Sequence, residues 1–283
     1  MGNVTTTTAA VDIAQIWTKE IEKPFYANLA MAKLVKQRGD LVQGGGSTIN
    51  VPFMSIYNAR AKTAGTAVTF DAATETSINI SINKQYYLAV LIEDIAKVQA
   101  NYNLQEVYRG AQAEAVARQI DTDLAGLYGS AGTTTAAGAA LTDASVITTV
   151  VALDTANVPR SERYGVIGAG AHGDLLNVNK YTTYDSTGMK GTATGSGSTN
   201  DSSLIANVYG FDLQLSNNVA FSATGKEMFF HKSAISLALQ LKPTYKMEDS
   251  VDFIGMKTVL HTIYGVAVER PTALAVITRN TAI

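Results

Sequence analysis

The chain has 283 residues, with 22 basic and 24 acidic side chains and a formal net charge of −2. Charged residues make up only 16%, against the ~25% usual in soluble proteins. A hydrophobic share of 46% excludes general disorder, and the missing basic excess excludes a generic polyanion binder. Cysteine is absent, which excludes disulfides, thiolate zinc sites and cysteine nucleophiles. So sparse a charge protects a lone monomer poorly against self-association and fits a surface covered by partners.

The first residues carry neither a basic n-region nor a continuous apolar run, so no secretory signal is read there. No apolar stretch reaches the ~20 residues that span a bilayer, and a soluble chain without a membrane partner is expected. From residue 11 to 38, Ile13, Ile16, Trp17 and Ile21, then Leu29 and Leu34, recur at helical spacing, with a break at Pro24. Gly44, Gly45 and Gly46 lead into a strand-like 48–53. Residues 54–78 are poor in large aliphatics and carry Arg60 and Lys62 before Gly65, Asp71 and Glu75 after it. Alternation returns where Ile78, Ile80 and Ile82 share one face. A long β-hairpin with strands near 50–60 and 68–83 accounts for the pattern. It holds too little apolar surface to stand alone, so it is expected to lie against a neighbour.

Residues 86–92 read as a buried strand, and Glu93 with Asp94 opens a helical region. A long helix is predicted over 104–128, with an apolar stripe of Leu104, Val107, Tyr108, Ala111, Ala115, Ile120, Leu124 and Leu127 and with Asp121 and Asp123 on its polar side. Residues 129–140 read as a Gly/Ala/Thr linker. A helix capped by Thr142 or Asp143 and running to 158, a strand at 163–167 and a short helix at 171–178 follow. A polar stretch over 182–203 reads as an exposed loop. Strands are expected near 204–216 and 226–231, through Val259, His261, Ile263, Val266 and Val268, and finally through Leu274, Val276 and Thr278 after a turn at Pro271. The fold class is α+β.

Gly168-Ala169-Gly170-Ala171-His172-Gly173 satisfies G-x-G-x-x-G between a strand and a helix, where a dinucleotide could sit. The context fails, because the helix is short and a polar loop replaces the second parallel strand and its acidic residue. No P-loop pattern occurs. His172, His231 and His261 share no metal-site spacing with one another or with a carboxylate, so no cofactor, metal or catalytic group is expected.

The order of parts resembles the major capsid proteins of tailed bacteriophages, the Hong Kong 97-type fold. The likeness rests on residues 82–88 (Ile-Asn-Lys-Gln-Tyr-Tyr-Leu), 92–99 (Ile-Glu-Asp-Ile-Ala-Lys-Val-Gln) before the long helix, and 153–159 followed by 163–167. Gly210-Phe211-Asp212-Leu213, Tyr264-Gly265-Val266 and Arg270-Pro271 extend it toward residue 280. The resemblance implies an N-terminal arm (1–48), an extended E-loop hairpin (49–84), a peripheral (P) domain (85–140 and 250–283) with the long helix as its spine, and an axial (A) domain (141–249). It implies self-assembly into pentamers and hexamers of an icosahedral shell that encloses double-stranded DNA without sequence-specific binding. Portal and separate scaffolding or decoration proteins are the further partners it implies, with assembly in the host cytoplasm and residence in the virion. Arg60, Lys62, Asp71 and Glu75 are then the expected E-loop interface, and Gly44, Gly45, Gly46 and Gly65 the expected hinges. An encapsulin-like compartment shell is the alternative of similar fold, and a nucleotide-dependent soluble enzyme using 168–173 the alternative from another class.

Overall fold

The computed structural model describes residues 31–42, 45–54, 57–70, 72, 75–99, 104–178, 204–217 and 225–280. The helices expected before residue 31, Gly44, Asp71 and the 182–203 loop lie outside the described residues. In chain order, helix α1 (Met31–Leu34) and strand β1 (Lys36–Gln37) precede the hairpin strands β2 (Thr48–Met54) and β3 (Glu75–Ser81). Strand β4 (Lys84–Glu93), α2 (Asp94–Gln99) and the long α3 (Leu104–Ala125) follow. Next come β5 (Thr133–Gly138), α4 (Asp143–Thr155), β6 (Arg163–Ile167) and α5 (Ala169–Leu176). The remainder is β7 (Leu204–Val208), β8 (Phe211–Leu215), β9 (Gly225–His231), β10 (Ile235–Ser250), β11 (Gly255–Val268) and β12 (Leu274–Arg279).

Three sheets result, and the α+β class stands. The hairpin is a two-stranded sheet, a second sheet runs β1-β10-β11-β4, and a third runs β5-β12-β9-β6-β8-β7. Both larger sheets take strands from either side of the boundaries expected at residues 140 and 249. In the third sheet β9 lies beside β12, and in the second β10 pairs with β11. Alternation along the central strands feeds two cores. Met228 and Phe230 of β9, with Leu274 and Val276 of β12, join Leu124, Ile235 and Tyr264 on one face. Phe229, Ala275 and Ile277 join Leu153, Ile167, Leu175 and Phe211 on the other.

Several expectations are corrected. The hairpin strands are 48–54 and 75–81, and residues 57–70 run outside the ladder. That tip has no apolar alternation to favour one register. Residues 133–138 form an edge strand instead of a linker. The Gly132 N–H donates to the carbonyls of Pro271 (2.9 Å) and Leu274 (3.2 Å), and the three threonines that follow are β-branched and suit a strand. Strand β4 is half-buried and not buried, with Tyr87 70% exposed. The sixteen-residue β10 escaped prediction because its alternation is broken by register shifts around Leu241 and by Pro243, which has no N–H to offer. The segment expected as one strand at 204–216 is the β7–β8 hairpin, turning at Tyr209 and Gly210.

The cap of α4 is Thr142, through a reciprocal box in which Ser145 N–H donates to Thr142 Oγ1 and Thr142 N–H donates to Ser145 Oγ. Helix α3 covers 22 residues, a rod of about 33 Å. Its buried face keeps Ile120 and Leu124 of the expected stripe, but nearer its start Gln112 and Val116 are buried while Tyr108 and Ala111 face outward, and Asp121 turns inward. No helix among the described residues is long and apolar enough to cross a membrane.

Candidate assembly interface

The hairpin is clamped where it leaves the body. Val42, Ile49, Val51, Ile80 and Ile82 pack with Ala238, against Phe53, Ile263 and Ala267. Ile82 N–H donates to Ser47 O at 2.8 Å, and Gln240 Nε2 to Gly46 O at 2.9 Å. The closest approach is at Gly265, where a Cβ would lie 2.4 Å from the Ser81 carbonyl oxygen. Further out, the Arg270 guanidinium sits 5.4 Å from the centre of the Phe53 ring, an arrangement that attracts the cation to the ring face. Beyond this anchor, residues 57–70 are exposed throughout.

Arg60 and Lys62 lie on that exposed tip, lining a shallow concavity with Asn58, Thr63, Thr66 and Val68. Glu75 is placed differently, opening β3 opposite Met54. The tip also carries Tyr57, Val68 and a 91% exposed Phe70. Gly45 (φ 104°), Gly46 (φ 109°) and Gly65 (φ 85°) occupy the left-handed region that glycine enters without penalty. Asp71 and Gly44 belong to the residues outside the description.

Two polar anchors that sequence reasoning missed hold residues 31–38 to the body. The Met31 N–H donates to the buried Asp121 Oδ1 at 2.8 Å, so an acid expected on the solvent side of α3 instead takes the first amide of α1. The Arg38 guanidinium grips Glu269 with two bonds, Nη2 to Oε2 at 2.8 Å and Nε to Oε1, and Ser236 Oγ donates to the same carboxylate. Burial alone would raise the Glu269 pKa, but the bonds from Arg38 and Ser236 outweigh it and hold the carboxyl below its ordinary value. These partners are far apart in sequence, and no local pattern announces them.

The glycine-rich turn at 168–173 uses its donors internally. Gly168 N–H donates to Glu227 Oε2 at 2.8 Å, and Glu227 Oε1 accepts from Arg279 Nε at 3.1 Å. Arg279 also donates to Asp174, whose Oδ2 takes the Leu141 N–H at 2.8 Å. The amide that a dinucleotide phosphate would seek at the start of α5 is therefore held by the chain's own carboxylate. Burial pushes the Glu227 pKa up, and Gly168 and Arg279 oppose that shift. His231 bonds to its neighbour Ser233, and burial lowers its pKa. No group of three His, Asp or Glu side chains able to hold a metal ion occurs among the described residues.

The opposite end of the four-stranded sheet is exposed and apolar, a feature that the run Val251-Asp252-Phe253-Ile254 could have signalled. Val251, Phe253 and Ile254 from the β10–β11 turn stand beside Ile95 and Val98 of α2, all exposed. Pairing of Glu93 with Gly255, and a 3.1 Å bond from Asp94 N–H to Ile254 O, bring the two groups together.

A family profile described as phage capsid protein matches residues 84–277, more than half of the chain. The chain is similar in structure to a chain of Mycobacterium phage Che8 at a TM-score of 0.80 and 25% identity, over 94% of this chain and 96% of that one. It is similar also to a chain of the cyanophage P-SCSP1u capsid (TM-score 0.79, 16% identity, 99% and 97% covered). A third likeness is to the mature capsid of bacteriophage PhiM1 (TM-score 0.73, 13% identity, 94% and 91% covered). Among curated protein sequences none matches. With the α+β architecture, the spine-like α3 and the projecting hairpin in place, the chain belongs to the phage capsid protein family and has the Hong Kong 97-type fold of major capsid proteins.

Proposed function

We propose that this major capsid protein assembles with itself into pentamers and hexamers of an icosahedral head, enclosing double-stranded DNA without gripping particular sequences. The observation that carries this reading is a hairpin fixed at its base by the Val42–Ile82 cluster and Gly265, whose tip at 57–70 no apolar side chain among the described residues covers. Its exposed charges, Arg60, Lys62 and Glu75, with Asp71, are the interface toward the adjacent subunit. Gly45, Gly46 and Gly65, with Gly44, are the points at which the E-loop changes course as the shell matures, and the left-handed backbone at the first three supports that role. The division into N-arm (1–48), E-loop (49–84), P domain (85–140, 250–283) and A domain (141–249) is carried forward as a description of which surfaces meet which neighbours. Portal and separate scaffolding or decoration proteins complete the particle, which forms in the host cytoplasm. A near-neutral subunit suits this role, because every added basic contact to phosphate would tighten the hold on packed DNA.

Negative-stain electron microscopy of the purified chain, alone and coexpressed with its genomic neighbours, tests the proposal. Closed shells of uniform size, or five- and six-fold rings, are the expected result, with DNA inside particles from infected cells. Small globular particles under every condition would count against it, and shells loaded with protein cargo would favour the encapsulin-like alternative.

A further inference from the structure

We infer that the open edge of β4 pairs antiparallel with the same edge of a second copy of this chain, across a two-fold axis at Ala89; this rests on the shell reading above. Strand β4 ends the order β1-β10-β11-β4, and no strand among the described residues lies on its outer side. Asp94 N–H donates to Ile254 O at 3.1 Å, and Val90 O accepts from Thr258 Oγ1 at 3.0 Å, so the even-numbered members turn their backbone groups toward β11. These groups alternate along a strand, so the N–H and C=O of residues 85, 87, 89, 91 and 93 point away from the sheet. The side chains of the same residues are exposed.

The two edges of this sheet differ in kind. Strand β10 carries Lys242, Pro243 and Lys246 and has register shifts around Leu241, the devices that keep a free edge from pairing. Strand β4 has none of them. It runs for 10 residues without proline, with charge only at its ends, Lys84 and Glu93, and in unbroken register with β11. Such an edge is a template for another strand.

Register and symmetry identify that strand. A two-fold axis through the sheet keeps both sets of faces aligned, and the outward groups then meet only where odd residues face odd residues. Centring the ladder on Ala89 sets Tyr87 opposite Leu91 of the other copy, Tyr86 opposite Ile92 and Leu88 opposite Val90. At both ends it sets Lys84 opposite Asp94. Tyr87 is 70% and Leu91 40% exposed in the single copy, and aromatic and aliphatic cross-strand pairs stabilise a sheet. A shift to either neighbouring two-fold register instead sets Lys84 opposite Ile92, or Glu93 opposite Tyr87. The ladder adds about ten backbone hydrogen bonds. Rings of subunits use head-to-tail contacts, whereas the two-fold axes of an icosahedral shell need a surface that meets itself. The edge of β4 is self-complementary in that sense.

The full chain has no cysteine, so a single introduced one reports on its own neighbour. In oxidised shells of Ala89→Cys the facing Cα atoms stand about 5.5 Å apart, within disulfide reach, and most of the protein should run as covalent dimers on a non-reducing gel. Tyr87→Cys alone should stay monomeric, and shells mixed from Tyr87→Cys and Leu91→Cys should again give dimers. Shells without Ala89→Cys dimers, or with Tyr87→Cys dimers just as abundant, would overturn the inference. Ala89→Lys sets like charges across the axis and should cut shell yield about fivefold, as should Ala89→Glu, with the circular dichroism of the subunit unchanged. Coexpressing the two should restore the yield, and a yield not restored by mixing would also overturn the inference. If the unaltered chain forms no shells or rings under any condition, the shell reading itself fails.

Discussion

Glu269 shows how single side chains hold residues 31–38 to the body. It is only 2% exposed, and its carboxylate is stable there because Arg38 and Ser236 both donate to it. Its pKa in the folded chain lies below the ordinary carboxylate value, so its stabilising contribution is complete above the ordinary range and is lost as the pH falls through the folded value. Replacing it by Gln leaves Arg38 without its counter-charge and should lower stability by about 3–5 kcal/mol at neutral pH. The same variant should flatten the fall in melting temperature on acidification, and a variant with the unaltered acid slope would refute the assignment. Glu227 works in the opposite sense, since burial raises its pKa and its ionisation opposes folding as the pH rises through and beyond the ordinary range. None of this was legible in the sequence. Arg38 and Glu269 are 231 positions apart, Met31 and Asp121 are 90 apart, and Glu227 and Arg279 are 52 apart.

Elements were legible where apolar spacing is regular and ambiguous where polar side chains do the packing. The long helix was found, and Ile120 and Leu124 are buried as its stripe required, but Gln112 and Asp121 turn inward where the apolar pattern left them on the outer side. Gln112 Nε2 donates to Thr258 Oγ1 at 3.2 Å, while its Oε1 finds no hydrogen-bond partner among the described residues. A buried acceptor left unmade costs free energy, so Gln112→Leu should keep or raise the melting temperature. A loss of more than about 2 kcal/mol would show that the amide does more for the fold than the hydrogen bonds described. In β5 the small Thr and Ala side chains give no apolar contrast, and in β10 the shifts around Leu241 and Pro243 erase the two-residue period. The hairpin was legible as an element, and residues 57–70 at its tip are exposed. Its clamp was not, because Gly265 matters through a backbone contact made across the fold with Ser81.

At the scale of the whole molecule, both larger sheets tie together segments that the linear order separates. Calorimetry of the unassembled subunit should therefore show one cooperative transition for the body, with calorimetric and van't Hoff enthalpies agreeing. Two well-separated transitions would mean that the segments on either side of residue 140 fold as independent units. Strand β12 lies between β5 and β9, and its parallel partner residues in β5 stand about 140 positions earlier. Closing a loop of that length before the ladder can form makes folding slow. A newly made chain thus passes through a unimolecular wait before it offers a finished surface to its neighbours. That wait is unimolecular and does not shorten as chains accumulate, whereas the encounter of finished subunits quickens with their concentration.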